Sequence, residues 1–193
     1  MTAITVARRG LKEVDPVKRF LVIGVVGLIA AIALAVAPSK ADTATKNDGN
    51  DTIGFLDIEE VQHNHGANDK LVHKVITFDN WASSQLTGGN YIELDFDLPS
   101  DDSGRMIEIK YQGGELKAKM YQIDPPRYLR TIDVSRPSEH AVKVRFKKSE
   151  LKSGIDSYKW RVRTVYDGSE CPTTVCVDTR PNKANNWISH NGL

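Results

Sequence analysis

This chain is short of the features that most often announce an activity. It holds two cysteines and five histidines in 193 residues. That count excludes a cysteine-rich zinc module and a small fold built on many disulfides. The formal net charge is only +1, so there is no general electrostatic case for a nucleic-acid partner. The spacings H-E-x-x-H and G-x-S-x-G do not occur, nor does that of an EF-hand loop. A standard zinc protease, an α/β-hydrolase and an EF-hand protein therefore find no support. Internal repeats and heptads are also missing, and no long apolar run follows residue 37.

The long apolar run that is present lies at the start. Phe20 to Ala37 carries no charge, and Arg8, Arg9, Lys12, Lys18 and Arg19 stand before it. A basic segment followed by an apolar one is the pattern of an export signal. Ser39-Lys40-Ala41 supplies small residues at both positions a signal peptidase reads, and Pro38 ends the helix upstream. Cleavage after Ala41 is the favoured expectation. Retention as a membrane anchor, with the basic end inside, is the alternative. Residues 1–41 are thus expected to be a signal peptide or signal anchor, and 42–53, which are polar, a flexible linker. Residues 54–193 are expected to form one domain. The precursor segment holds six of the 26 basic and two of the 25 acidic residues, which leaves a net charge of −3 for the rest.

Beyond residue 54 the pattern has period two. Ile92, Leu94, Phe96 and Leu98 alternate with Tyr91, Glu93, Asp95 and Asp97. The same alternation recurs at 106–111, 116–121, 142–147 and 158–164, and less cleanly at 55–63, 71–78 and 128–134. Each set predicts a strand with one face in a core and one in water. Turn residues separate them at Gly113-Gly114, Asp124-Pro125-Pro126 and Ser153-Gly154. The expected fold is all-β: an antiparallel β-sandwich of about eight strands, preceded by the N-terminal apolar helix. Single helical turns are expected near 80–86 and 149–151.

Four constellations are candidates for function. Cys171 and Cys176 form an even pair in an exported chain, which predicts a disulfide closing a small loop. His63 and His65 share one side of a strand, and an antiparallel neighbour would bring His73 beside them. Three imidazoles can hold zinc and activate a water; a solvated polar hairpin is the plainer reading. Asp95, Asp97, Asp101 and Asp102 offer oxygens to calcium, though an acidic hairpin turn explains them too. Lys143, Arg145 and Lys147 occupy the wet side of one strand, and Lys159, Arg161 and Arg163 that of the next. If the two strands form a hairpin, six cations share a face. They then meet either an acidic hairpin bearing Glu93, Asp95, Asp97 and Glu108, or an anionic partner.

Three stretches carry a resemblance. They are Gly54-Phe55-Leu56-Asp57-Ile58 with Val61 and His63; Leu71 to Thr77 with Trp81; and Cys171…Cys176-Val177-Asp178-Thr179-Arg180-Pro181-Asn182 with His190. Through its L-D-I opening and C-x-D-x-x-P close, the chain resembles a group of exported actinobacterial β-rich domains. The resemblance covers most of residues 54–193 and implies secretion and a β-sandwich. It brings no activity and no site residues. The leading expectation is an exported, non-catalytic binding or structural module at the cell envelope, secreted or anchored. A cell-wall polymer, a polysaccharide or another secreted protein would be its partner, and membrane contact would come only through residues 20–37. The rivals are a metal-dependent hydrolase using His63, His65 and His73, and an accessory or inhibitory domain for another secreted protein. No cofactor is indicated.

Overall fold

The computed structural model describes residues 42–191, apart from 100, 170, 172, 184 and 185. The apolar run at 20–37 and the cleavage site lie outside the described residues. The described chain is all-β and antiparallel. Its strands are β1 (Asp42–Asn47), β2 (Ile58–Gly66), β3 (Lys70–Thr77), β4 (Tyr91–Leu98), β5 (Asp101–Gln112) and β6 (Glu115–Gln122). They continue with β7 (Arg127–Ser138), β8 (Ala141–Lys147), β9 (Ser157–Asp167), β10 (Val175–Arg180) and β11 (Ile188–Asn191). One short helix, α1 (Lys148–Leu151), and two single turns at Ala67–Asp69 and Ser83–Gln85 complete it.

The strands form one sheet in the order β1-β2-β3-β8-β7-β6-β5-β4-β9-β10, with β11 on the free part of β9. Eleven strands replace the eight or so expected, and the sheet is continuous. The long strand β7 makes it so. Its first half pairs with β6 (Ala118↔Ile132) and its second half with β8 (Asp133↔Arg145). Register shifts interrupt β2, β4, β6 and β7, and such bulges bend strands and add twist. The sheet therefore curls into a half-barrel, and the inner side of β2, β3 and β8 faces that of β4 and β9. Leu71, Val75, Val144 and Phe146 from one wall bury with Leu94, Phe96, Trp160 and Val162 from the other.

Two expectations need correction. Asp42–Asn47 was expected to lie in a flexible linker from its polar composition. Instead it is edge strand β1, paired with β2 over its whole length. Backbone hydrogen bonds along an edge do not require apolar side chains, so composition does not betray such a strand. The strands bearing the six cations do not form a hairpin either. β8 lies between β3 and β7, and β9 lies between β4 and the pair β10 and β11. The Gly113-Gly114 turn is as expected: both residues have positive φ (65° and 89°), joining β5 to β6.

Candidate functional site

The separation of β8 and β9 gives the two cation triplets different surroundings. On β9 each cation stands opposite a carboxylate of β4. Arg163 pairs with Glu93, Arg161 with Asp95 and Lys159 with Asp97. Arg163 Nη2 donates to Glu93 Oε1 at 2.5 Å and Arg161 Nε to Asp95 Oδ2 at 2.8 Å; Lys159 Nζ lies 3.9 Å from Asp97. Glu93 and Asp95 are both only 5 % exposed, although they point away from the core. Burial and the neighbouring Asp95 charge push the Glu93 carboxyl up to about 7, against the pull of Arg163. Arg161 also stacks over Trp187 at 4.7 Å. These charges are spent inside the molecule.

On β8 the neighbours are cations. Lys147 stands directly opposite Lys70 of β3 and Lys143 opposite Lys74, with Arg145 between them opposite Val72. Among the described residues, one carboxylate forms an ion pair with this strip: Asp133 of β7, 3.6 Å from Arg145. Beside the strip lies a cavity of ≈ 380 Å³ lined by Lys70, Val72, Asp133, Arg145 and Lys147. Sequence reading placed Lys143, Arg145 and Lys147 on a wet face but missed Lys70 and Lys74. Their share in the face depends on the β3–β8 pairing, which joins segments about 70 residues apart.

The histidines come together, but in the core. His63 and His73 are cross-strand partners on β2 and β3. His190 of β11 reaches them from the opposite wall, its ring 4.4 Å from that of His63. All three are at most 3 % exposed. Trp160 packs on both His63 and His73, and the Tyr158 hydroxyl lies 3.0 Å from His73 Nε2. Burial, with the charges of His63 and His190 adding to it, holds His73 well below the ordinary imidazole range. His65, the other expected member, sits toward the rim with Nε2 3.6 Å from Asp69. These imidazoles do not bring three nitrogens within 4.8 Å of one another. They form an aromatic layer between the walls. His190 was legible only as part of the C-terminal motif, since no spacing links it to the others.

Asp95 and Asp97 are engaged by Arg161 and Lys159, and Leu98 pairs with Asp101, so the acidic run forms the β4–β5 hairpin. Cys171 and Cys176 are joined in a disulfide. It fastens the chain entering β10, and Cys176 is buried opposite Tyr166 of β9. Comparison with known proteins returns no match: no family model, no curated protein and no solved structure is similar to this chain.

Proposed function

We propose that this chain is an exported, non-catalytic binding module of the cell envelope, and that its ligand is an anionic polysaccharide held on the outer face of β3 and β8. The observation that carries this reading is the pair of like-charge oppositions, Lys70↔Lys147 and Lys74↔Lys143. Like charges directly opposite each other destabilise a sheet. A face that keeps five cations beside one paired carboxylate, counted among the described residues, has charge to offer an outside anion. The basic, then apolar N-terminus and the disulfide support the location. A hydrolytic role for His63, His65 and His73 has weaker support, because His63 and His73 are closed into the core.

Retention of the protein on a polygalacturonate resin tests the proposal. It should bind at low salt and elute as salt approaches 1 M, where the Debye length falls to about 3 Å. Passage straight through the resin at low salt would overturn it. Capture of another secreted protein by the same face, without the polymer, would favour the accessory-domain reading instead.

A further inference from the structure

The two short motifs that frame the domain meet in space. Asp57 of Leu56-Asp57-Ile58 stands just before β2, fixed between two fully buried neighbours. Asp178 of the C-terminal motif sits on β10. The Ile58 amide donates to Asp178 Oδ2 at 2.6 Å and ties the two together. Asp48 and Asp51 arrive on the stretch that follows β1. One carboxylate oxygen from each of Asp51, Asp57 and Asp178 lies within 4.8 Å of the others. Calcium binds oxygen at about 2.4 Å, so its coordination sphere is about 4.8 Å across and accommodates all three.

Two further observations favour a cation at this cluster. Asp57 is 2 % exposed, and neither carboxylate oxygen accepts a well-formed hydrogen bond, although the Thr52 amide lies close enough to favour its charge. The side chain of Asp48 is 1 % exposed, and its Oδ2 also accepts none. A buried carboxylate with an oxygen left without a good donor is costly unless a positive charge meets it. Arg180 is the cation bonded here, and it is divided: Nη1 donates to Asp48 Oδ1 at 3.3 Å and to Asn182 Oδ1 at 2.6 Å. Asn182 in turn donates to Asp51 Oδ2 at 2.7 Å, and the Thr179 amide to Asp178 Oδ1 at 2.6 Å. Of the four carboxylates, Asp48 alone meets the guanidinium directly among the described residues. Burial, with Asp48 and Asp57 adding to it, pushes Asp178 up to about 7 despite its two amide donors. Burial also raises Asp57, which the nearby Thr52 amide opposes.

We propose that Asp51, Asp57 and Asp178, with Asp48 beside them, bind a hard divalent cation of the calcium class. The donors are all oxygen, which disfavours zinc, and calcium completes six to eight ligands in an irregular loop more readily than magnesium does. Asp51 is exposed and forms the open side, where the ion enters and waters fill the remaining positions. Once bound, the ion clamps the β1–β2 connection onto β10, joining the two ends of the domain.

The test uses the full chain, stripped with EGTA and titrated calorimetrically with calcium chloride alone. Binding should fall at about 10⁻⁴–10⁻³ M, the range of extracellular calcium modules. At 10 mM calcium the melting temperature should rise by several degrees over the EGTA sample, with a smaller rise in magnesium. Asp51→Asn changes an exposed residue. It should weaken calcium binding at least tenfold and, with one of the clustered negative charges gone, melt in EGTA no lower than the parent. Asp178→Asn should abolish the calcium response. Tyr166 lies near enough to feel the charges of Asp57 and Asp178, so bound terbium should luminesce on tyrosine excitation and calcium should quench that signal. Identical melts in calcium and EGTA, or calcium binding by Asp51→Asn equal to the parent, would overturn the site. Equal binding of magnesium would overturn its assignment to calcium.

Discussion

Strands β8 and β9 obey the same sequence grammar and meet opposite fates. Lys143-Val144-Arg145-Phe146-Lys147 and Lys159-Trp160-Arg161-Val162-Arg163 each set cations between core residues. In both, the apolar residues bury and the cations face outward. The neighbour decides the rest. β9 lies against Glu93, Asp95 and Asp97 and forms a ladder of ion pairs. β8 lies against Lys70 and Lys74, and among the described residues only Arg145 of its three cations forms an ion pair, with Asp133. Alternation within a strand fixes which side a residue takes. Only pairing across the sheet fixes whether a charge is structural or available.

The largest way to break this contrast is to unpair the ladder. Asp95→Ala leaves Arg161 facing a partly closed site. Breaking a fully buried pair costs about 3–5 kcal/mol, and because the Arg161 side chain is 27 % exposed the loss should be nearer about 2–3 kcal/mol. Thermal melting should show it as a drop of several degrees. Polymer retention should not change, and a melt like the parent's would mean the ladder holds nothing together.

Next in size is the clamp beside the ladder. Replacing Cys171 and Cys176 with serine frees a very short loop, which should cost about 2 kcal/mol. Denaturant titration measures this, and the β3–β8 strip should bind as before. A smaller effect of opposite sign is expected on the strip. Lys147→Glu places unlike charges opposite each other at Lys70, which should stabilise by up to about 1 kcal/mol while weakening retention. If that change destabilises the protein, the strip is not strained by its own charge.

The inner faces of the same strands differ too, and here the readout is a slope. His73 of β3 is held neutral among His63, His190 and Tyr158. Below its ordinary value of 6.5 the unfolded chain takes up a proton that the folded core refuses. Its contribution to stability is therefore full above that pH and shrinks as pH falls toward the folded value. His73→Phe should flatten the acid side of the melting–pH profile relative to the parent. Equal slopes would mean that the core accepts the charged imidazole.

Much of the β-structure was legible because period two is a local signal. The core faces of β4, β5, β6, β8 and β9 follow the alternation directly, as at Ile92, Leu94 and Phe96. Three strands escaped it. β1 is polar, β11 is four residues long, and β10 carries a buried aspartate where an apolar residue is expected. The disulfide was legible from the even cysteine count, as its closing loop is local. The sites were less so. Pairing of His63 with His73 followed from one antiparallel step, but His190 and the meeting of Asp57 with Asp178 depend on closure of the whole curled sheet. Those contacts join the two ends of the domain, and no local pattern encodes them.

The central claim is that the cations of β8 are available and those of β9 are spent. It is tested by one paired measurement of polygalacturonate retention at 0.15 M salt, with melting recorded on the same samples. Lys143, Arg145 and Lys147 changed together to glutamine should abolish retention and leave the melting temperature the same or slightly higher, as the like-charge oppositions are relieved. Arg161 and Arg163 changed to glutamine should retain the polymer and melt several degrees lower. Loss of retention in the second variant, with the first still bound, would contradict the account.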